Sequence, residues 1–290
     1  MRVKHQKRAE AKEARKKEQQ QNQKEALSAE LMNDTYRSEF RSAPTAAESQ
    51  TINNFFFNSH VQLDWMTMNF LEMPEDQKVP KKKKEEVSTG FVKPGITIGL
   101  PEVVFLGKCN VGKSTLLNAL VTPSSNKDLT EFAYASKVAG YTKSLNAFNL
   151  GDRLRIIDTP GYGVKGRPAQ GKQVLEYLQN RKELRKVYLL VGSVDGFNNH
   201  DDGILDFLFT NGIPFEIVFT KVDKVLQKRQ LTANITKSGI LEEAQAPELL
   251  FTASGTNKKF DKRQGFTELR KSILSACGLP YDIRPLKKRQ

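Results

Sequence analysis

From about residue 100 onward the chain alternates short apolar runs with longer amphipathic stretches. Val103-Val104-Phe105-Leu106, Leu154-Arg155-Ile156-Ile157, Phe215-Glu216-Ile217-Val218-Phe219 and an apolar stretch ending at Phe251 are each bounded by polar or glycine-containing text. Runs of this length and composition predict buried strands of a parallel sheet. Between them lie helix formers, as in Ser114–Leu120 and the Leu175–Leu184 stretch. Strands alternating with helices predict an α/β domain with a mostly parallel sheet covered by helices.

The pattern changes upstream. Residues 1–54 are rich in Lys, Arg, Glu, Gln, Ser and Ala with few apolar positions, and are expected to be disordered or a lone solvated helix. Residues 55–95 begin with an aromatic island (Phe55-Phe56-Phe57, then Val61 to Leu71) and end in the run Lys81-Lys82-Lys83-Lys84. This island either docks on a partner or covers one edge of the domain's own core. The folded domain is expected to span residues 96–282, with a basic tail at 283–290.

Candidate chemistry sits at the ends of the predicted strands. Gly107-Lys108-Cys109-Asn110-Val111-Gly112-Lys113-Ser114 has the spacing of a phosphate-binding loop between a strand and a helix. Backbone N–H groups would surround the α/β-phosphates at a helix N-terminus, Lys113 would reach the β/γ-phosphates, and Ser114 would hold Mg²⁺. Asp158-Thr159-Pro160-Gly161 follows the next strand: Asp158 is the expected Mg²⁺ partner and the Gly161 N–H the γ-phosphate sensor. Thr142, within Gly140-Tyr141-Thr142-Lys143-Ser144, falls where a switch threonine reaches the metal.

The base is chosen further on. Asp223 in Thr220-Lys221-Val222-Asp223 can accept from guanine N1–H and N2–H together, and adenine offers no such donor pair. A wrong base would leave buried lone pairs unmatched, which discriminates strongly. Lys221 would lie along the ring face. Thr252-Ala253-Ser254 would close over the base, with the Ala253 N–H as expected donor to guanine O6. A nucleotide kinase or ATPase is disfavoured by Asp223 and by the lack of an Arg-rich lid.

These motifs with their flanks, Gly99-Leu100-Pro101-Glu102-Val103, Asn110-Val111-Gly112-Lys113-Ser114, Asp158-Thr159-Pro160-Gly161-Tyr162-Gly163 and Leu175-Glu176-Tyr177-Leu178…Arg181-Lys182-Glu183-Leu184, resemble the EngB/YihA family of ribosome-assembly GTPases. The resemblance runs from about Phe91 to Leu279. It implies a Ras-like P-loop GTPase domain that binds GTP or GDP with Mg²⁺ and assists maturation of the large ribosomal subunit, in bacteria or in organelles derived from them. Leu190-Val191-Gly192-Ser193-Val194-Asp195 departs from the family pattern after the fourth strand, so no role is carried over for that loop. Lys113, Thr142 and Gly161 are the catalytic candidates. Tyr162 stands where Ras-like proteins have a water-orienting Gln, so intrinsic hydrolysis is expected on the order of 10⁻⁴ to 10⁻³ s⁻¹. Activation is expected from the ribosomal particle or from K⁺, since GTPases that use K⁺ carry Asn at the position of Asn110.

Charge sharpens the partner. The net charge of +13 divides into +3 for residues 1–95 and +10 for residues 96–290. The excess groups at Lys165, Arg167 and Lys172; at Arg181, Lys182, Arg185 and Lys186; at Lys258, Lys259, Lys262 and Arg263; and at Arg284, Lys287, Lys288 and Arg289. Such groups predict salt-dependent contact with a phosphate backbone, here ribosomal RNA of a large-subunit precursor, without DNA specificity. Two cysteines and three scattered histidines give neither a disulfide framework nor a metal-ligand spacing. No run is long and apolar enough to span a membrane. The first seventeen residues are basic but contain Glu10 and Glu13, an atypical presequence. The long N-terminal extension favours a mitochondrial protein over a cytoplasmic one. The rival expectation is a slow-hydrolysing GTP-binding scaffold or organellar translation factor.

Overall fold

The computed structural model describes residues 27–67, 91–133, 144–162, 168–256 and 260–286. Its elements are α1 (Ala29–Thr35), α2 (Ala46–Asn58), β1 (Val61–Thr67), β2 (Phe91–Val92), β3 (Glu102–Gly107), α3 (Lys113–Val121), β4 (Leu145–Leu150), β5 (Leu154–Asp158), α4 (Pro168–Asn180), β6 (Leu184–Gly192), α5 (Asn199–Thr210), β7 (Phe215–Thr220), α6 (Lys228–Lys237), β8 (Leu249–Phe251) and α7 (Phe266–Ala276). The strands form one sheet in the order β2-β1-β4-β5-β3-β6-β7-β8. The half from β5 through β3, β6 and β7 to β8 is parallel, and β2, β1, β4 and β5 pair antiparallel. This is the mostly parallel, helix-covered sheet expected from the pattern, in the arrangement that the resemblance implies.

Successive side chains of a strand point to opposite faces, so each central strand feeds two cores. Val103, Phe105 and Ile156 face α2, α3 and α7, while Val104, Leu106 and Ile157 face the side that carries Met32 of α1, Tyr177 of α4, Leu208 of α5 and Leu231 of α6. The parallel strands show near-continuous apolar text because both faces are covered.

The N-terminal expectation needs correction from residue 27 onward. Ala29, Met32 and Asn33 are buried, as are Ile52, Phe55 and Phe56. Each trio is spaced i, i+3, i+4, which gives a narrow buried stripe on a largely polar helix; average composition hides it. Ser28 caps α1. In α2, Thr45 and Glu48 form a reciprocal capping box, with the Glu48 N–H donating to Thr45 Oγ1 at 3.2 Å and the Thr45 N–H to Glu48 Oε2 at 2.8 Å. The folded unit therefore includes the described residues from 27 onward rather than beginning at 96. Residues 1–26 and the Lys81–Lys84 run lie outside the described residues.

The aromatic island covers the domain's own core. Strand β1 runs antiparallel along β4 from Val61 opposite Leu150 to Thr67 opposite Leu145, with an irregularity between Leu63 and Trp65. The buried Asp64 carboxylate there accepts from Arg155 Nε at 2.9 Å and Asn149 Nδ2 at 3.1 Å. Arg155 also approaches Glu102, which accepts from Arg181 at 2.7 Å. The predicted Leu175–Leu184 helix ends early: α4 stops at Asn180 and Leu184 already starts β6. At the other terminus Leu286 donates from its N–H to Gly151 O at 3.0 Å, so the start of the basic tail is seated on the domain; residues 287–290 lie outside the described residues.

Candidate nucleotide-binding site

The phosphate loop and the base-reading segments lie at the carboxyl ends of β3, β5, β7 and β8. Gly107 closes β3, and Gly112 precedes α3 with φ of 106°. Asn110 also has a positive φ, 65°. Successive backbone turns of this kind point N–H groups into a concavity suited to an anion. Lys113 and Ser114 begin α3, so its positive dipole end faces the same space. Lys113 is buried and ion-paired with Asp158. That pairing brings the lysine at the start of α3 and the carboxylate at the end of β5 together.

The segment after β5 is stitched to this loop by its backbone. The Cys109 N–H donates to Tyr162 O at 3.0 Å and the Tyr162 N–H to Gly107 O at 3.3 Å. Gly161 lies against Cys109, whose thiol donates to Gly161 O at 3.4 Å. Thr159 Oγ1 donates to Phe105 O at 2.8 Å, and Thr159 and Pro160 are buried. The Tyr162 hydroxyl donates to Asp201 Oδ1 of α5 at 2.5 Å. Burial together with this partner raises the phenol well above its ordinary pKa, and burial raises that of Asp201. Tyr162 is thus engaged elsewhere and does not stand in for a water-orienting side chain.

The base end is assembled from separated pieces. Thr220 Oγ1 donates to Val111 O at 2.7 Å, fixing the end of β7 to the phosphate loop. Lys221 has φ of 60°, and its ammonium donates to Asn110 O at 2.5 Å. Burial lowers its pKa, with Lys224 adding to the effect. The Val222 N–H donates to Thr252 O at 3.2 Å and the Thr252 N–H to Phe219 O at 2.8 Å. Asp223 is half-buried, and burial raises its carboxyl above the usual range against the opposing pull of its own backbone N–H, Lys224 and Lys221. Gly255 lies beside it, where any Cβ would sit 3.0 Å from Asp223 Oδ2.

The expected contact from Ala253 is corrected here. Its N–H donates to Gln264 O at 3.1 Å and its carbonyl accepts from the Gln264 N–H at 3.0 Å. A donor already used within a bridge cannot serve guanine O6. The neighbouring Ser254 is partly exposed, and no partner for its N–H occurs among the described residues. The only sequence signal for Ser254 and Gly255 was their place after a strand, which does not fix which amide points outward.

Gly140, Tyr141, Thr142 and Lys143 lie outside the described residues. Ser144 is buried and donates to Asn146 Oδ1 at 2.9 Å at the start of β4. Among the described residues no group of three His, Cys, Asp or Glu could hold a metal. The donor set nevertheless fits Mg²⁺, which keeps water and phosphate oxygens and asks little of the protein. Ser114 and Asp158 would supply the protein side.

The charged groups fall into two sets. Arg263 is buried and the Arg181 side chain is only 6% exposed: Arg181 meets Glu102, and Arg263 donates to the Pro123, Asn126 and Lys127 carbonyls. Lys186 is paired with Glu216 at 2.5 Å. These three leave the expected nucleic-acid surface, whereas Lys172, Lys182, Arg185, Lys262 and Arg284 are exposed. Lys165, Arg167, Lys258 and Lys259 lie outside the described residues.

Residues 102–221 match the family described as 50S ribosome-binding GTPase. "MIOREX complex component 8" of Saccharomyces cerevisiae is 37% identical over 250 residues, covering 86% of this chain and 79% of that protein. "Probable GTP-binding protein EngB" of Rickettsia rickettsii is 42% identical over 137 residues, covering 46% of this chain and 62% of its own length. The chain belongs to the EngB-type GTPases. A solved structure of an engB GTP-binding protein aligns with 61% of this chain and 98% of its own, at 20% identity and a TM-score of 0.44. As an EngB-type GTPase the protein binds GTP and hydrolyses it to GDP and phosphate.

Proposed function

We propose that this EngB-type GTPase is a nucleotide-dependent switch in assembly of the large ribosomal subunit, acting on the mitochondrial ribosome. The observation that carries the reading is the match of residues 102–221 to the 50S ribosome-binding family. A eukaryotic relative along 250 residues and bacterial relatives along 137 support an organelle of bacterial origin as the place of action. The exposed cations on the domain support an RNA-bearing partner.

Within the site, Lys113 would hold the β/γ-phosphates, Ser114 and Asp158, with Thr142 from outside the described residues, would hold Mg²⁺, and the Gly161 N–H would read the γ-phosphate. Bound there, Mg²⁺ would supply neutralisation of the charge that develops during transfer of that phosphoryl group to water. Asp223 reads the guanine edge, Lys221 lies over the ring, and the Ser254 N–H replaces Ala253 as donor to O6. The Asn110 side chain is exposed beside the phosphate loop, which suits it to ligate K⁺. Faster turnover in K⁺ than in Na⁺ buffer is the expected result, and equal rates would remove this role.

Co-sedimentation with large subunits and their precursors, in a GTP analogue, GDP or no nucleotide across a salt series, tests the switch. Analogue-dependent, salt-sensitive binding is expected. Binding indifferent to nucleotide would favour the scaffold instead.

A further inference from the structure

Helix α1 has no counterpart in the motifs that define the site, yet its polar contacts converge on the segment that holds the base end together. Asn33 is buried on the outer edge of β8. Its Nδ2 donates to Phe251 O at 2.9 Å, and its Oδ1 accepts from the Phe251 N–H at 2.9 Å. The Ala29 N–H donates to Gln264 Oε1 at 3.0 Å, and the Gly265 N–H to Glu30 Oε1 at 3.3 Å. Gln264 is the residue bridged to Ala253. Tyr36, just past α1, packs on Phe251 at 5.4 Å between ring centroids, and Phe251 stacks on Phe219 at 5.0 Å.

Phe219 precedes Thr220-Lys221-Val222-Asp223, and Phe251 precedes Thr252-Ala253-Ser254. The path from Asn33 to the base is therefore short: Asn33 fixes Phe251, the next residue Thr252 exchanges bonds with Phe219 and Val222, and Val222 adjoins Asp223. A short β8 of three residues with an open outer edge would fray at its end. Asn33 supplies, from a side chain, the donor and acceptor that a further strand would supply.

We infer that α1 positions the guanine-reading segments, with Asn33 as the positioning residue that sets how well Asp223 and Ser254 discriminate the base. The inference rests on the guanine-site reading above and adds a part of the chain that lies outside the G-domain motifs.

The test compares GDP with IDP, which lacks the 2-amino group that Asp223 would accept from, by equilibrium binding to the full-length protein. The variants are Asn33→Ala, Gln264→Ala and Ile52→Ala, the last buried against the opposite face of the sheet. Asn33→Ala is expected to weaken GDP about tenfold and IDP much less, so that the GDP preference shrinks, because the two buried hydrogen bonds that fix Phe251 would be lost. Gln264→Ala should shrink it about threefold and serves if Asn33→Ala does not fold. Ile52→Ala should lower the melting temperature and leave the preference intact. A folded Asn33→Ala or Gln264→Ala protein with the wild-type preference overturns the inference, as does an equal loss in Ile52→Ala. Equal wild-type affinity for GDP and IDP would overturn the guanine-site reading itself, a separate outcome.

Discussion

The two ends of the nucleotide site are built by different means. The phosphate end comes from one contiguous stretch, Gly107 to Ser114, shaped by backbone conformation and closed by backbone bonds to Tyr162. The base end is a composite of β7, β8, the Gln264 bridge and a helix more than two hundred residues upstream, joined by backbone bonds between separate segments and by the side chains of Asn33 and Gln264. A contiguous cradle needs little beyond its own turns and the helix behind it. A composite end inherits the stability of every piece, so distant substitutions reach it.

Replacing Lys113 by Ala should give the largest effect and act on the phosphate end alone. Affinity for GDP and IDP should fall together by about a thousandfold, roughly 4 kcal/mol, in competition binding. An unequal fall would blur the division between the ends. Asp223→Asn should act on the base end alone: GDP weakens about a hundredfold and XDP, whose C2 carbonyl suits an amide donor, gains. Unchanged GDP over XDP selectivity would remove the base-reading role of Asp223.

Gly265→Ala tests the composite directly. Gly265 has φ of 77°, and a Cβ there would meet Phe251 O at 1.8 Å. Urea unfolding should register a loss of about 2 kcal/mol, with the guanine preference falling in parallel. The smallest expected effect is that of pH. A protonated Asp223 cannot accept from two N–H groups, so GDP affinity is full above its folded pKa and declines as pH drops through it. Because burial raises that pKa, the decline should begin at higher pH than an ordinary aspartate allows, reaching about twofold at the midpoint. Asp223→Asn should abolish that part of the profile, measured with the same ligand.

The same contrast explains what could be read in the sequence. Strands β3, β5 and β7 were legible because burial on both faces writes continuous apolar runs, and the phosphate loop because its spacing is local. Helix α1 was hidden: three buried positions in a seven-residue helix leave a polar average. The Ala253 donor failed because register in the loop is set by Gln264, which no local pattern connects to it. Arg181 and Arg263 read as surface charge since nothing nearby in the sequence announces Glu102 or the carbonyls of Pro123, Asn126 and Lys127.

Strand β1 carries a consequence for partners. By pairing along β4 it uses up the backbone donors and acceptors on that side of the sheet, and beyond it β2 offers only two residues. Asn33 occupies β8 at the far side. Among the described residues the two outermost strands are therefore short, β2 with two residues and β8 with three, one of them already bonded to Asn33, and short outer strands offer little template for edge-to-edge aggregation or for peptide capture by sheet extension.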